Sequence, residues 1–258
     1  MLFDLATLVA IVAGVAKASP ATGSSSQYPA IAPGTVITQC RVPGTAAITF
    51  DDGPHIWTSE LIDSFDNAGA KTTFFINGNV YNCIYDMAPI IRKAYASGHQ
   101  IASHTWSHPS LPTLNATQQD LEITRNNLAF KRILGIRPKW LRPPFGDVDT
   151  LTLDRLAAHD LKVVTWSMAS DDWAGLTVEE SIAKYDAIPN GTDVLALNHD
   201  PIQTTATELG PWAIQWARDR GLKVVTLSEC LGETSVEDKY EFVGFPDEDD
   251  DPSTWNCA

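Results

Sequence analysis

Two histidines four residues apart, His104 and His108, form the clearest metal-ligating pattern in the chain. Side chains at this spacing lie on one helical face or in one tight loop, so both imidazoles can reach a single ion. Asp51 and Asp52 precede a Gly-Pro pair, which turns the backbone and lets both carboxylates project into the same space. Two histidines and one carboxylate leave coordination positions open for water and substrate, so the pattern predicts a catalytic metal site.

Three further groups could assist hydrolysis at such a site. Arg142 opens an Arg-Pro-Pro-Phe-Gly stretch, where the guanidinium could hold a carboxylate and a backbone N–H could meet an oxyanion. Asp172 could orient His199 and raise its pKa, which leaves an imidazolium able to protonate a leaving group. Taken singly, an Asp-Asp-Gly-Pro stretch is typical of a turn and a lone histidine of a packed core. Their shared position at strand ends favours one active site.

Seven apolar runs typical of β-strands alternate with helical patterns, which predicts an α/β fold with a parallel sheet. In a barrel of parallel strands the residues just past the strand ends converge on one face. The longest helical pattern places Leu121, Ile123, Leu128 and Ile133 on one face, and Thr177 with Glu180 forms a capping box. The predicted strands are residues 46–50, 72–76, 99–103, 139–142, 161–167, 193–198 and 222–227.

Composition predicts a single catalytic domain between two distinct ends. The 258 residues, 44% of them hydrophobic, can bury one sizeable core. Residues 1–18 contain an apolar run that is too short to span a bilayer and that ends in Ala-Lys-Ala, which predicts a secretory signal peptide. The expected division continues with a disordered leader at 19–38, the catalytic domain at 39–232 and an acidic tail at 233–258.

The formal net charge of −14 is concentrated at the C-terminus, where residues 233–258 hold nine acidic residues against one lysine. An acidic chain without a basic stripe argues against nucleic acid and anionic membranes, and it is compatible with a neutral polysaccharide. The acidic run 247–251 is predicted to be a solvated tail rather than a calcium site.

The four cysteines are far apart and have no C-x-x-C spacing, which favours disulfides in a secreted protein. Three pairings are possible. Because the first and last strands of a closed barrel are adjacent, and Cys40 precedes the first while Cys230 follows the last, we favour Cys40 with Cys230. Cys83 would then pair with Cys257.

Two Asn-x-Thr sequons also fit secretion. Asn115 and Asn190 each lie in a predicted connection between elements, where a glycan acceptor is accessible. We therefore expect a secreted protein, either extracellular or in the cell wall.

The order of these motifs resembles that of the polysaccharide deacetylases, known as the NodB-homology family or carbohydrate esterase family 4. The motifs are Thr-Phe-Asp-Asp-Gly-Pro, His-x-x-x-His, Arg-Pro-Pro-x-Gly, Asp-Trp and Leu-x-His, and they extend over about residues 40–232. The resemblance implies a distorted (β/α) barrel of seven to eight parallel strands and one divalent metal, with zinc expected and cobalt as the alternative. Within the family, the chain looks most like secreted fungal chitin deacetylases.

The resemblance also implies a role for each motif residue. The metal ligands are Asp52, His104 and His108. The catalytic groups are Asp51 as base, Arg142 as the residue that tethers it, the Phe145 backbone N–H as oxyanion donor, His199 as general acid and Asp172 as its partner. The substrate-binding residues are Trp173 and Leu197, which line the pocket for the acetyl methyl group, together with Phe145.

The implied reaction is hydrolytic N-deacetylation of N-acetylglucosamine units in chitin or chitooligosaccharides, which gives acetate and chitosan. Acetylxylan esterases and peptidoglycan deacetylases use the same fold, and the motifs do not separate them. A non-haem iron oxygenase shares the ligand set but does not need an acid–base pair such as Asp51 and His199, and a non-catalytic sugar-binding module would have lost one of them. We expect a monomer that binds neither nucleic acid nor, after signal cleavage, a membrane.

Overall fold

A computed structural model describes residues 27–245 and 250–257, and a parallel sheet organises them. The strands of this sheet are β1 (Val36–Ile37), β2 (Thr45–Asp51), β3 (Thr73–Ile76), β4 (Gln100–Ser103), β6 (Trp140–Leu141), β7 (Lys162–Val164), β8 (Met168–Ala169), β9 (Val194–His199) and β10 (Lys223–Val224). A separate antiparallel pair joins β5 (Ile136–Pro138) to β11 (Tyr240–Phe242). The order across the main sheet is β1-β7-β6-β4-β3-β2-β9-β8, with β10 also paired to β2. The sheet curls into an incomplete barrel with helices around it, so the predicted α/β barrel is confirmed.

Helices alternate with these strands as the sequence patterns predicted. They are α1 (Thr58–Asn67), α2 (Ala88–Ala96), α3 (Ala116–Leu134), α4 (Thr150–Ala158), α5 (Val178–Asp186), α6 (Gly210–Asp219), α7 (Leu227–Cys230) and α8 (Val236–Lys239). The capping box between Thr177 and Glu180 starts α5, as expected. In the part of the chain that the structure describes, no helix is both long enough and apolar enough to cross a membrane.

The predicted strands are present, but several have different bounds. Within the predicted strand 161–167, the observed strand ends at Val164. Within the predicted strand 222–227, only Lys223–Val224 forms a strand, and α7 begins at Leu227. The sequence patterns did not predict β1 and β8, since two residues are too few to show a period.

The long helix α3 buries only part of the face that was predicted. Leu121 and Leu128 are exposed, while the buried positions include Ile123, Asn126, Phe130 and Ile133. Asn126 takes part in the buried face because its side-chain amide donates to the backbone carbonyl of Ile76. A hydrogen-bonded polar group can occupy a core position at little cost, so apolarity alone correctly identified Ile123 and Ile133 but not Asn126.

Alternation along β2 separates the core into an outer and an inner layer. Ala46, Ile48 and Phe50 belong to the cluster packed under the helices, whereas Ala47 packs inside the barrel with Phe75 and other residues of the facing strands. Successive side chains of a strand point to opposite faces. Asp51 therefore shares the interior face with Ala47, at the carboxyl end of the barrel.

Part of the predicted leader is packed against the domain. The proposed signal peptide and the first part of the leader, residues 1–26, lie outside the described residues. Residues 27–38 are not a disordered leader, because Ile31 and Ile37 are buried and β1 pairs with β7. A two-residue strand that depends on pairing with β7 gave no pattern in the sequence.

Residues 233–258 were predicted to form a tail, but their described part is integrated into the domain. Glu233 is buried and accepts two hydrogen bonds of 2.7 Å from the ammonium group of Lys162. Asp250 receives two hydrogen bonds from the guanidinium of Arg132, so this acid of the charge run is not simply solvated. The partners come from distant elements, which local charge patterning cannot reveal.

Both predicted disulfides are confirmed. Cys40 is bonded to Cys230 and Cys83 to Cys257. The reasoning behind the first pair also holds, because the first and last predicted strands, β2 and β10, are neighbours.

Candidate active site

The carboxyl ends of neighbouring strands bring the candidate residues together. Asp51, the last residue of β2, is in register with His199, the last residue of β9. The last residues of β4 and β6 are also paired, and His104 and Arg142 follow them directly. Parallel strands that end in register present the next residues at one edge of the sheet, so distant positions in the chain share one site.

Asp52, His104 and His108 form a cluster able to bind a metal. Their candidate ligand atoms lie within 4.8 Å of one another. Oδ1 of Asp52 is 3.4 Å from Nε2 of His104 and 3.4 Å from Nε2 of His108. Among the described residues this buried oxygen has no hydrogen-bond partner. A cation would satisfy such an atom, and two imidazoles with one carboxylate suit a divalent transition metal.

The turn after β2 separates the two adjacent carboxylates. Asp52 has a left-handed backbone with φ of 70°, and the Gly53-Pro54 peptide bond is cis. Gly53 is required at its position because a Cβ there would lie 2.0 Å from Oδ2 of the buried Asp200. The turn therefore depends on a close approach of backbone to side chain, and it allows Asp51 and Asp52 to face the site in different directions.

The backbone of Arg142 orients the first histidine of the cluster. Nδ1 of His104 lies 2.6 Å from the carbonyl oxygen of Arg142, so Nδ1 carries the proton and donates it. This fixes the tautomer and leaves the Nε2 lone pair directed at the cluster. The side-chain amide of Asn77 donates to the backbone carbonyls of His104 and Thr105, which holds the histidine loop. Sequence reasoning missed Asn77, although it directly follows a predicted strand.

The guanidinium of Arg142 fixes Asp51. Its Nη1 donates to Oδ1 of Asp51 at 2.6 Å and to Oγ1 of Thr49 at 2.8 Å, and Nη2 donates to the carbonyl of Thr165 at 2.8 Å. The guanidinium also lies 4.1 Å above the ring centroid of Phe75. Oδ2 of Asp51 remains on the side of the histidines, 3.7 Å from Nε2 of His104. One carboxylate oxygen is thus anchored and the other is available to accept a proton.

His199 is held by Asp172 in an acid–base pair. Nδ1 of His199 is 2.8 Å from Oδ1 of Asp172, whose Oδ2 accepts from the backbone N–H of His199 and from Thr205, each at 2.8 Å. Burial lowers the pKa of His199, but the bond to Asp172 and the nearby negative charges outweigh it and raise the pKa to about 9. The imidazolium is therefore favoured, with Nε2 free to donate.

The charges of the cluster also shift the pKa values of the three candidate ligands. Burial acts to raise the pKa of Asp52, but the nearby His104 imidazole, together with His108 and His199, lowers it to about 2. Burial acts to lower the pKa of His104, yet Asp51 and Asp52 raise it. His108 has a lowered pKa because burial and the charge of His104 outweigh the carboxylates. The Asp52 carboxylate is therefore ionised at neutral pH, as a metal ligand must be.

A cavity of about 320 Å³ opens over these groups. Its lining consists of Asp51, Asp52, His104, His108, Pro143, Phe145, Trp166, Trp173, Leu197 and His199. Sequence reasoning missed Trp166 because it counted that residue within a strand. Gly146, next to Phe145, has φ of 72°, and a Cβ there would lie 3.0 Å from the Trp166 ring. The glycine thus allows the Phe145 turn to pack against Trp166.

Phe145 and Trp173 form exposed parts of this cavity. Phe145 has φ of 61°, a conformation uncommon for a bulky residue, and its ring centroid lies 4.7 Å from that of His108. Its side chain is 64% exposed and that of Trp173 is 65% exposed, whereas Leu197 is buried at the cavity wall. Every residue predicted for catalysis, metal binding and substrate binding therefore lies at this site.

Metal binding gives the first testable result. We expect one divalent ion per chain, and we expect His104→Ala to lose it, because the variant lacks one of the three candidate ligands. Elemental analysis after dialysis measures the metal content. His159→Ala is the matched control, since His159 is ion-paired with Asp120 outside the cavity. Equal metal content in the two variants would contradict the assigned cluster.

Comparison with known proteins identifies the family. A family model described as polysaccharide deacetylase matches residues 38–164. A chitin deacetylase of Pestalotiopsis sp is 38% identical over 230 residues, which cover 88% of this chain and 76% of that protein. The chain belongs to the polysaccharide deacetylase family. The family expected from the five motifs is thereby confirmed.

Two further relatives extend the comparison. The solved structure of the chitin deacetylase from the fungal pathogen Colletotrichum lindemuthianum matches with a TM-score of 0.79 and 30% identity, covering 82% of this chain and 97% of that one. A probable peptidoglycan-N-acetylglucosamine deacetylase of Arthroderma benhamiae is 38% identical over 204 residues, 78% of this chain and 47% of that protein. The chain thus spans about half the length of this second relative.

Proposed function

We propose that this chain is a metal-dependent hydrolase that removes the acetyl group from N-acetylglucosamine units of chitin or chitooligosaccharides. The observation that carries the proposal is the pairing of Asp51 and His199 at the ends of adjacent strands, beside a metal-binding cluster. One group can accept a proton and the other can donate one, as amide hydrolysis requires. The two relatives named as chitin deacetylases support this substrate class.

Asp52, His104 and His108 would hold the metal, and we propose zinc, with cobalt as the alternative. Zinc is commonly bound by histidine and carboxylate ligands with an open position in catalytic sites. When bound, the ion would polarise the acetamide carbonyl and lower the pKa of a water molecule. The orientation of His104 by the Arg142 carbonyl supports the same assignment, since ligating histidines usually donate their other N–H to such a group.

The side chains divide the acid and base work of the reaction. Oδ2 of Asp51 takes a proton from the attacking water molecule, while the oxygen of that water bonds to the carbonyl carbon of the acetamide. The carbonyl oxygen becomes an oxyanion, for which the backbone N–H of Phe145 is the proposed donor. Nε2 of His199 then protonates the sugar nitrogen, the C–N bond breaks, and acetate and a glucosamine unit remain. Asp172 stabilises the imidazolium of His199 throughout.

The apolar wall of the cavity favours a small acyl group. Leu197 and Trp173 are proposed to contact the acetyl methyl group, and Trp166 adds a further aromatic wall. Burying one methyl group stabilises the bound state by only about 1 kcal/mol, but a larger acyl chain would have to displace these walls. Acetyl is therefore the acyl group that we propose.

Other reactions fit the site less well. An acetylxylan esterase expels an alcohol, which leaves more readily than an amine and depends less on an acid such as His199. A peptidoglycan deacetylase breaks the same kind of bond and is the nearest alternative, because one relative carries that name. An oxygenase would not need the acid–base pair, and a sugar-binding module would not need to keep it.

We also propose that the protein is secreted and acts as a monomer outside the cell or in the cell wall. Two disulfides support an oxidising compartment. The sequon asparagines Asn115 and Asn190 are both exposed, which supports glycosylation. Oδ1 of Asn115 accepts from the backbone N–H of Gln118, so the nitrogen that would carry a glycan is not the capping atom.

Acetate release across a panel of substrates tests the proposal. We expect N-acetylglucosamine oligomers of several units to be deacetylated, while the single sugar is a poor substrate because it lacks remote binding energy. Crystalline chitin, acetylxylan and peptidoglycan complete the panel. Activity on acetylxylan with none on the chitin oligomers would refute the chitin assignment.

A further inference from the structure

The two histidines of the proposed metal cluster are held in different ways. The ring of His104 is buried and hydrogen-bonded to the carbonyl oxygen of Arg142. The ring of His108 is partly exposed, and within residues 27–245 and 250–257 no hydrogen bond fixes it. Its Nε2 nevertheless lies as close to Oδ1 of Asp52 as that of His104, at 3.4 Å. Apart from a ring contact with Phe145, the position of the His108 ring therefore depends on the backbone that carries it.

That backbone, the histidine loop of residues 104–108, has an uncommon conformation. Thr105 has φ of 70° and His108 has φ of 59°, both in the left-handed region that residues other than glycine rarely adopt. The backbone N–H of His108 donates to Oγ1 of Thr105 at 3.2 Å, which closes the loop on itself. Left-handed residues of this kind persist where surrounding contacts fix them. The loop therefore needs support from other elements.

Helix α3 supplies that support through one half-buried carboxylate, that of Glu122. Its Oε2 accepts from the backbone N–H of Ser107, and its Oε1 accepts from the Ser107 hydroxyl, each at 2.7 Å. Hydrogen bonds to a carboxylate are shorter and stronger than those between neutral groups. Both oxygens of Glu122 thus bind the residue immediately before His108. They fix the backbone at the point where the second histidine leaves the loop.

Neighbouring side chains of α3 contact the rest of the histidine loop. The side-chain amide of Asn126 donates to Oγ of Ser103 at 3.0 Å, directly before His104. The guanidinium of Arg125 lies 4.6 Å from the ring centroid of Trp106, which is itself buried. The helix is therefore joined to both ends and the middle of the loop. A carboxylate on such a fixed helix holds its partner more precisely than one on a flexible segment would.

We propose that Glu122 is a positioning residue for the metal site, which holds His108 where it can share an ion with Asp52 and His104. The inference rests on the proposed metal-dependent function and deepens it. Glu122 does not line the cavity, so it acts through the backbone of Ser107 and not on metal or substrate directly. Loss of its hydrogen bonds would release the left-handed turn and let the His108 ring move away from the other two ligands.

Metal affinity tests this role. The Kd for Zn²⁺ is measured by competition with a chromogenic chelator, on protein first stripped of metal. Glu122→Ala is expected to raise this Kd about 10-fold, the lower end of what groups behind metal ligands contribute, because Ser107 is exposed and water replaces part of the lost contact. Glu122→Gln keeps an acceptor for the N–H and a donor for the hydroxyl, so its Kd should stay close to that of the wild type.

A matched control and a spectrum distinguish positioning from general stability. Glu241 also accepts two hydrogen bonds, from Arg137, but it lies outside the cavity. Glu241→Ala should therefore leave the Kd for Zn²⁺ unchanged, whatever its effect on Tm. The visible absorption spectrum of the Co²⁺-loaded protein reports the arrangement of the ligands. It should change in Glu122→Ala and stay as in the wild type in Glu122→Gln and Glu241→Ala.

The outcomes separate this inference from the proposed function. If Glu122→Ala binds Zn²⁺ as tightly as the wild type, keeps the wild-type Co²⁺ spectrum, or loses no more affinity than Glu241→Ala, the positioning role is wrong and the proposed function stands. If Glu122→Gln loses as much affinity as Glu122→Ala, the hydrogen bonds are not the cause and the role is wrong as well. If the wild type binds no divalent ion, the metal-dependent function fails and this inference with it.

Discussion

Asp51→Asn is expected to lower kcat by about 10²- to 10⁴-fold, the range over which general-base catalysis contributes. Asparagine has nearly the same shape, but its amide cannot take a proton from water. The variant should keep its metal, since Asp52 rather than Asp51 supplies the oxygen that lies 3.4 Å from both histidines. The effect is thus expected in turnover and not in metal content.

Three measurements on the same protein preparation separate chemistry from folding. Acetate release gives kcat, elemental analysis gives the metal content, and thermal unfolding gives Tm. Removing the carboxylate leaves the buried guanidinium of Arg142 without its charge partner, so Tm should also fall. Asp120→Asn is the control, because Asp120 bonds to Arg155 outside the cavity. A near-normal kcat in Asp51→Asn would contradict its role as base.

The grouping of the candidate residues could be predicted from the sequence because the ends of the parallel strands place them at one edge of the sheet. Asp51 and His199 are far apart in the chain, yet each ends a strand, and the two strands pair in register. Once the alternation of strands and helices indicates a parallel sheet, convergence of the strand ends follows. The identity of each residue then sets its chemistry.

Features that depend on three-dimensional contacts could not be predicted in this way. Arg142 contacts the site through two different groups, its carbonyl at His104 and its guanidinium at Asp51, and only the fold reveals that one residue joins the proposed metal ligands to the proposed base. The sequence patterns also gave no indication that Asn126 of α3 is buried, and they treated Asp250 as a solvated residue. Both are polar groups whose partners come from other elements, so local hydropathy and charge were misleading.

His199→Ala is expected to reduce deacetylation of chitin oligomers by about 10²- to 10⁴-fold, because the amine then leaves without a proton. The loss should be smaller for an O-acetyl ester of the same sugar, since an alcohol is a better leaving group. In the wild type the bond from Asp172 holds the pKa of His199 at about 9 despite burial. The acid must be protonated to work, so the rate should be retained through neutral pH and fall as the pH rises past that pKa.

Rates on the amide and the ester, each measured from pH 6 to 10, test this assignment. Asp172→Asn removes the charge that raises the pKa of His199, so the alkaline fall in amide hydrolysis should move to lower pH. His55→Ala is the matched control, because His55 is also a histidine near the site but does not line the cavity. Equal losses on amide and ester in His199→Ala would mean that His199 does not protonate the leaving group. An alkaline limb that stays in place in Asp172→Asn would assign that limb to another group, and the case for His199 as the acid would fail.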